Sequence, residues 1–448
     1  MLRLSSALFV AYLAAGVVAQ DDDFTPPNCS LDEHCPEKYP CCSVYGQCGT
    51  GAYCLGGCDP LTSFSLDSCA PMPVCKSKEY TWENLDKSAP NNDYLGNATE
   101  SDWVYSGYPK LEDGNLILTM PKESTGSLFS NNHYVWYGKI GADVKSSRGK
   151  GVVTAFILLG DTKDEIDYEW VGADLAVVET NWYFQGILNY ENGGKSDVPS
   201  GNTFEDWHRY EVDWTPDEIR WIIDGKVSRT LTKESTWNET GDRYEYPQTP
   251  SRMQLSLWPA GQASNAEGTI EWAGGEIDWN SEDIQGQGYY ASSFRNITVE
   301  CYDPPSDTNV HGDVSYDFKD NAGVESSVEI TNNKTVLASL GATGLDMDFG
   351  SNSTSNSGNS TGSVNNSTVP QNHGGTGNEP GSSSASGSGT GTGSGSESTS
   401  TNAPGTFNQG DGGDSDGGND NAAPSQNERV LKGSFFAVLV AIVVLITL

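Results

Sequence analysis

Acidic and apolar residues alternate strictly between positions 165 and 170 of this chain. A β-strand would place Glu165, Asp167 and Glu169 on one face and the intervening residues on the other. The apolar run 152–159 lies just before this segment and indicates a sheet whose opposite face is buried. Crowded carboxylates repel one another, and splitting the pKa values of paired carboxylates is how glycosidic bonds are hydrolysed. The alternative is an acidic face on an edge strand, because acid clusters mark functional sites only statistically.

Both ends of the 448-residue chain carry targeting patterns. Residues 1–19 contain one arginine, an apolar run and a small-residue end, which is typical of a signal peptide. The apolar tail 434–448 follows small residues and a polar spacer. This order predicts a GPI-attachment signal, with Asn421 as the anchor site and 422–448 as the propeptide. A single-pass tail anchor is the alternative. We therefore expect a secreted protein held at the outer face of the plasma membrane.

The net charge restricts the possible partners, and the cysteines indicate the compartment. The formal net charge of −36 argues against nucleic acid but is compatible with a neutral polysaccharide. Nine of the ten cysteines lie between Cys29 and Cys75, which indicates disulfides formed in an oxidising compartment. The sequence has no zinc or EF-hand spacing, so we expect no metal and no cofactor.

The composition changes along the chain predict separate units. Residues 76–303 contain short Val, Ile, Tyr and Trp runs between turn residues, with hardly any helical periodicity, and this predicts an all-β sandwich. Asp224-Gly225 between two apolar runs predicts a two-residue hairpin. Residues 304–349 are mixed and represent either an extra strand or the start of a linker. Residues 350–421 are rich in Ser, Thr and Gly, which predicts a disordered stalk.

Residues 29–58 form a cysteine-dense unit that is too small to build a core without disulfides. Its motif CCSVYGQCG at 41–49, followed by Tyr53, resembles the hevein-like chitin-binding module. The resemblance implies that Ser43, Tyr45 and Tyr53 contact N-acetylglucosamine, because the C–H face of a sugar packs well on an aromatic ring. Gln47 stands where the family has a further aromatic residue. A purely structural disulfide knot is the alternative.

The same resemblance implies three disulfides, Cys29–Cys42, Cys35–Cys48 and Cys41–Cys54. Four cysteines then remain: Cys58, Cys69, Cys75 and Cys301. We expect Cys301 to pair with Cys75 or Cys69, which would tie the first and last strands of the β-rich unit together.

The segments 137–144, 149–159, 164–170 and 213–221 resemble glycoside hydrolase family 16. Together with the hevein-like motif, the Ser-rich segment and the anchor signal, they resemble the Crh family of fungal GPI-anchored cell-wall chitin–glucan transglycosylases. The resemblance implies a β-jelly-roll sandwich and an enzyme, a retaining glycosidase that cleaves chitin and transfers the fragment to β-glucan. We expect a monomer whose partners are chitin and β-glucan.

The family resemblance also implies roles for the acids. Glu165 corresponds to the nucleophile, Glu169 to the general acid and base, and Asp167 to an assisting group. The two carboxyl groups of a retaining glycosidase lie about 5–5.5 Å apart, whereas positions i and i+4 of a flat strand lie about 13 Å apart. We therefore expect the strand to curve.

Aromatic residues in the segments that match the family are candidates for binding sugar. They are Trp258, Trp272, Trp182 and Tyr183. Core packing is the alternative for each. Two other functions stay open: a hydrolytic chitinase or endo-β-glucanase, in which water resolves the glycosyl-enzyme, and a non-catalytic wall lectin. The intact acid triplet counts against the lectin.

Overall fold

A computed structural model describes residues 25–351 and 367–370. The predicted signal peptide 1–19, the predicted anchor site Asn421 and the predicted propeptide 422–448 lie outside these residues, as does most of the predicted stalk. Within the described ranges, no helix is long and apolar enough to span a membrane.

The regular structure is almost entirely β, as the turn-rich sequence predicts. In chain order the strands are β1 (Cys41–Cys42), β2 (Cys48–Gly49), β3 (Met72–Pro73), β4 (Lys78–Tyr80), β5 (Ser88–Pro90), β6 (Trp103–Ser106), β7 (Tyr108–Glu112), β8 (Asn115–Pro121), β9 (Ser127–Asn131), β10 (Gly138–Lys145), β11 (Val153–Gly160), β12 (Glu165–Val171), β13 (Val177–Tyr183), β14 (Gly194–Asp197), β15 (His208–Trp214), β16 (Glu218–Ile223), β17 (Lys226–Thr232), β18 (Trp237–Asn238), β19 (Arg243–Tyr244), β20 (Ser251–Trp258), β21 (Tyr289–Cys301), β22 (Asn309–Val310), β23 (Ser315–Phe318) and β24 (Val328–Thr331). The α-helices are α1 (Glu267–Trp272) and α2 (Glu282–Gln287), and single 3-10 turns lie at Gly51–Cys54, Leu66–Ser68, Tyr190–Asn192, Lys233–Thr236 and Glu325–Ser327.

Two eight-stranded sheets form the sandwich. Sheet A has the order β17-β16-β15-β10-β21-β8-β7, and β4 also pairs with β21. Sheet B has the order β14-β13-β12-β11-β20-β9-β6-β5. Large aromatic and aliphatic side chains from both sheets fill the space between them and form one core. This arrangement confirms the predicted all-β sandwich, because alternate residues of each strand can be buried against the other sheet.

The predicted hairpin is present between β16 and β17. Asp224 has φ 48° and Gly225 has φ 76°. A type I′ turn needs positive φ at both central residues, and Asp-Gly is one of the few pairs that adopt it at low cost.

Five disulfides connect all ten cysteines. Three of them, within the cysteine-rich unit, are the pairs that the hevein-like resemblance implies: Cys29–Cys42, Cys35–Cys48 and Cys41–Cys54. The remaining pairs are Cys58–Cys69 and Cys75–Cys301. The last of these joins the segment before β4 to the end of β21, so it links the first and last strands of sheet A.

Residues 304–349, which the sequence leaves open between strand and linker, are folded. A third sheet, sheet C, has the order β22-β24-β23-β3, so Met72–Pro73 pairs with strands from beyond residue 303. Leu337 and Ala342 then pack in a cluster that contains Tyr53 of the cysteine-rich unit. The folded unit therefore extends past the predicted boundary at 303 and includes the cysteine-rich unit.

Candidate active site

Glu165, Asp167 and Glu169 lie on the face of sheet B that points away from the core. The intervening residues Ile166 and Tyr168 belong to the core between the sheets. This placement follows from the period of two in β12. The three acids are nevertheless buried, with exposed fractions of 0%, 2% and 3%. The site is therefore a cluster of desolvated carboxyl groups rather than a solvated strand face.

The neighbouring strands give this cluster one apolar and one polar side. On β11, the acids are paired in order with Leu159, Ile157 and Ala155, which form an apolar patch. On β13, the partners of Glu165, Asp167 and Glu169 are Tyr183, Asn181 and Glu179. The polar partners alternate along β13, so they share the face of the acids.

Glu165 and Asp167 are neighbouring buried acids that influence each other's pKa. Burial raises the pKa of Glu165 well above its usual range, and the charge of Asp167 and a hydrogen bond between the two carboxyl groups raise it further. Burial also raises the pKa of Asp167 to about 7, against the hydrogen bond from Glu165, which lowers it. In the described part of the chain, no N–H or hydroxyl group donates to either oxygen of Glu165. Ionisation of either carboxyl group therefore opposes ionisation of the other.

Glu169 is suited to carry a proton. Burial raises its pKa well above the usual range for glutamate, and the negative charges of Asp167 and Glu179 raise it further. A carboxyl group that stays protonated at neutral pH can act as a general acid.

Asp164 secures the start of the acid strand. Its carboxylate accepts hydrogen bonds from the backbone N–H groups of Gln185, Gln248 and Thr249 and from the Thr249 hydroxyl, at 2.8–3.0 Å. Burial raises its pKa to about 6, although these donors oppose the shift. The contacts join three loops directly before Glu165, so Asp164 has a structural role.

Glu179 is an acid of this site that the sequence analysis missed. Its carboxylate accepts a hydrogen bond from Trp272 Nε1 at 3.1 Å and pairs with Lys195 Nζ at 2.9 Å. The signal was present in the sequence, because Glu179, Asn181 and Tyr183 alternate with apolar or small residues. It could be interpreted only once β13 was known to pair with β12.

The candidate sugar-binding aromatics have different outcomes. Trp258 is paired with Val153 on the acid-bearing face, is 0% exposed, and stacks on Trp272 with ring centroids 6.1 Å apart. Tyr183 is the partner of Glu165, and its hydroxyl accepts a hydrogen bond from Asn181 at 2.8 Å. Sugar contact by Trp258, Trp272 and Tyr183 stays a prediction.

Trp182 lies on the opposite face. It pairs with Ile166 across β12 and β13 and belongs to the core between the sheets. The prediction that it binds sugar is therefore wrong, since an odd-numbered offset from Tyr183 on a strand turns the side chain to the other side.

The cysteine-rich unit packs onto sheet B beside the nucleophile end of β12. The backbone N–H of Gly57 donates to Asp161 Oδ1 at 2.8 Å, and Lys163 Nζ lies 3.1 Å from Asp59 Oδ2. Val44 packs against the apolar patch formed by Leu159, Ile157 and Ala155. The unit is therefore attached to the loop before Glu165 and to the strand beside it.

Two of the three predicted chitin-contact residues are buried. Tyr53 is 1% exposed and packs with Leu337 and Ala342, and Ser43 is 4% exposed with a buried hydroxyl. Tyr53 and Ser43 are thus about as buried as the acids of β12, and their contact with sugar stays a prediction. Tyr45 is half-buried, and its contact with sugar stays a prediction.

One group of potential metal ligands occurs among the described residues, and it consists of Cys29, Cys35 and Cys42. Each of these sulfur atoms is in a disulfide. A disulfide sulfur is not a thiolate, so this group does not form a metal centre.

Comparison with known proteins places this geometry in a family. Residues 97–274, which include the acid strand, match glycosyl hydrolases family 16. The chain is 66% identical over 449 residues to Crh-like protein 2 of Aspergillus fumigatus, with all of both chains covered. The chain belongs to the Crh family. This Crh chain is also 49% identical to Crh-like protein UTR2 of Candida albicans over 356 residues, which cover 76% of the chain and 75% of that relative.

This Crh chain is also similar to a solved structure described as Crh5 transglycosylase in complex with NAG. The two are 30% identical, with a TM-score of 0.49, and the alignment covers 61% of this chain and 99% of the solved one. The predicted family and the predicted jelly-roll fold are confirmed by the family matches. The family matches also confirm the predicted enzyme class: the chain is a glycosidase or transglycosylase of the Crh family.

Proposed function

We propose that this Crh protein is a retaining transglycosylase that cleaves chitin and transfers the released fragment to β-glucan, cross-linking a fungal cell wall. The observation that carries the proposal is the row of three buried carboxyl groups on one face of β12, with their pKa values raised by burial and by one another. Desolvated, coupled acids are costly to fold and are kept where they do chemistry.

In the first step, Glu165 attacks the anomeric carbon and forms a glycosyl-enzyme, while Glu169 protonates the leaving oxygen. The nucleophile has to be ionised for this attack. Asp167 is the neighbouring group that can accept the proton of Glu165 at that moment. Asp167 thus assists by accepting that proton and by orienting Glu165.

In the second step, Glu169 removes a proton from the incoming hydroxyl group, which attacks the anomeric carbon and releases Glu165. Water gives hydrolysis and a glucan hydroxyl gives transfer. An acceptor sugar bound next to the glycosyl-enzyme outcompetes water through its effective concentration. Trp258, Trp272 and Tyr183 are our candidates for holding sugar rings near the acids, because they share the face of β12 that carries them.

Chitin is recognised both at the acid-bearing face of sheet B and by the hevein-like unit 29–58. Ser43, Tyr45 and Tyr53 are the candidate contacts of that unit, and Tyr45 is the least buried of them. We keep 29–58 as the hevein-like chitin-binding module and 76–303 as the catalytic domain, completed by the strands of 309–331. The stalk 350–421 gives reach from an anchor at Asn421, and the protein acts as a monomer in the wall and on the outer face of the plasma membrane.

The test is to incubate the purified protein with chitin oligosaccharides, with and without a fluorescent β-glucan acceptor. The proposal expects a labelled hybrid product whose formation stops in Glu165→Gln and persists in Asp174→Asn, a change at an exposed acid outside the site. Shortened chitin without a labelled hybrid would indicate a hydrolase. Binding without any new product in the wild-type protein would indicate a lectin.

A further inference from the structure

Glu179 lies in a row of charged and neutral groups that crosses sheet B at Glu169. Lys195 on β14 is the partner of Glu179 on β13, which is in turn the partner of Glu169 on β12. Directly paired residues of antiparallel strands have Cα atoms about 4.5–5.5 Å apart and side chains on one face. Glu179 and Glu169 are therefore adjacent acids on the same side of the sheet.

The carboxylate of Glu179 is held in place from two sides. Trp272 Nε1 donates to one oxygen at 3.1 Å, and Lys195 Nζ lies 2.9 Å from the other. The side chain of Glu179 is 7% exposed, whereas that of Lys195 is 58% exposed. Because Lys195 is solvated and lies on the outer side of Glu179, it neutralises the negative charge of Glu179 only in part. Glu169, on the inner side, still experiences that charge.

We propose that Glu179 is a positioning residue for Glu169: its fixed negative charge holds the proton on Glu169 and sets the upper end of the pH range in which the enzyme works. The inference rests on the proposed function, in which Glu169 is the general acid and base. Glu179 acts through Glu169 and contacts no reacting atom in this scheme.

The charged and titratable groups facing Glu169 support this assignment. They are Glu165 and Asp167 on β12, Glu179 and Tyr183 on β13, and Lys195 on β14. On the other side, β11 presents Ala155 and β20 presents Ser256, neither of which carries a charge. Glu267 and Glu271, on the helix that carries Trp272, are exposed. The negative charge of Glu179 contributes to the raised pKa of Glu169, after burial and Asp167.

The negative charge of Glu179 would assist Glu169 in both steps of a retaining reaction. When Glu165 becomes bound to sugar it loses its charge, and the pKa of a neighbouring general acid falls as a result. Glu179 takes no part in bonding, so its charge persists. It therefore keeps Glu169 basic enough in the second step to deprotonate a sugar hydroxyl of the acceptor.

The experiment compares pH profiles of kcat/KM for the transfer reaction in the wild type, Glu179→Gln and Lys195→Met. The basic limb reports the loss of the proton from the general acid. Glu179→Gln keeps an acceptor for Trp272 Nε1 but removes the charge, so the basic limb should move to lower pH by about one unit. Lys195→Met removes the positive charge that partly neutralises Glu179, so the basic limb should move to higher pH.

Because Lys195 is mostly exposed, its variant tests the proposal even if Glu179→Gln folds poorly. Basic limbs that stay within about 0.2 units of the wild type in Lys195→Met and in any folded Glu179→Gln, or that move in the same direction, would overturn the role of Glu179. The Glu169→Gln variant separates this from the proposed function. If it is inactive, only Glu179 is in question, whereas full activity would overturn both assignments.

Discussion

The backbone N–H of Gly57 donates a 2.8 Å hydrogen bond to Asp161 Oδ1, which also accepts the hydroxyl of Tyr134 at 2.7 Å. Asp161 lies in the loop between β11 and β12, so this carboxyl group joins the cysteine-rich unit to the strand that carries the nucleophile. Burial raises the pKa of Asp161 to about 6, partly offset by the charge of Arg252 and by these donors. We therefore expect the contact between the two units to depend on pH.

The first prediction is that the protein is more stable at pH 5 than at pH 8. The pKa values of Asp161 and Asp164 are raised to about 6 and that of Asp167 to about 7, whereas unfolded aspartate titrates near 4. The folded state binds more protons in this window, so the stabilisation is complete below about pH 4 and is lost as pH rises through 6 to 7. For each group the loss is about 1.4 kcal/mol per pH unit between its unfolded and folded pKa values. Thermal unfolding across pH measures it.

Asp161→Asn provides the control for that trend. Its amide cannot ionise, so the fall in Tm between pH 5 and pH 8 should be smaller than in the wild type. Asp174→Asn, at an exposed position, should leave the fall unchanged. An identical pH trend in Asp161→Asn and the wild type would count against this assignment.

The second prediction concerns the contact between Val44 and sheet B. Val44→Asp would place a charge against the apolar patch of Leu159, Ile157 and Ala155, at an expected cost of about 2–4 kcal/mol. We expect a lower Tm, a raised KM for chitin oligosaccharides and faster proteolysis of the cysteine-rich unit. Val227→Asp is the matched control, since Val227 is 55% exposed on β17. Equal effects of the two variants would contradict the contact.

The third prediction separates catalytic from structural acids. Glu165→Gln should reduce transfer by about three orders of magnitude or more, and Glu169→Gln by about 10²–10⁴-fold. Each change removes a buried, repelled acid, so Tm should stay the same or rise. Asp164→Ala should instead lower Tm by several degrees, because the backbone donors of Gln185, Gln248 and Thr249 lose their acceptor. A drop in Tm without a loss of turnover in Glu165→Gln would contradict the assignment.

The fourth prediction concerns Cys75–Cys301, whose partners are 226 residues apart in sequence. Closing so long a loop restricts the unfolded chain, and replacing both cysteines by alanine should cost about 2–5 kcal/mol. Urea unfolding of the double variant and the wild type measures this difference. A change under about 1 kcal/mol would show that the paired strands β4 and β21 do not depend on the bond.

The sequence allowed the β-sandwich and the acid row to be predicted because both depend on local periodicity. Glu165, Asp167 and Glu169 share a face whichever strands lie beside them. Local periodicity did not predict the location of Trp182. An aromatic residue next to the site in sequence can lie in the cleft or in the core, and only the pairing of Trp182 with Ile166 assigns it to the core.

In the cysteine-rich unit too, local sequence predicts some features and only distant contacts decide others. Its motif and its disulfide pairs could be predicted from the resemblance, since the spacing of cysteines lies within one short segment. Tyr53 also packs with Leu337 and Ala342, which lie nearly three hundred residues further along the chain. No local pattern indicates which distant segment will cover a module, because that contact depends on the shapes of two folded surfaces.

The sequence by itself thus determined the alternation on β12, the type of fold and the family to which the chain belongs. The tertiary structure alone decided that Glu179 lies beside Glu169, that Lys195 and Trp272 hold it, and that the cysteine-rich unit closes against the nucleophile end of the strand. The physical reason is that side-chain direction follows from the local backbone, whereas the neighbours of a side chain follow from strand order and packing between distant segments.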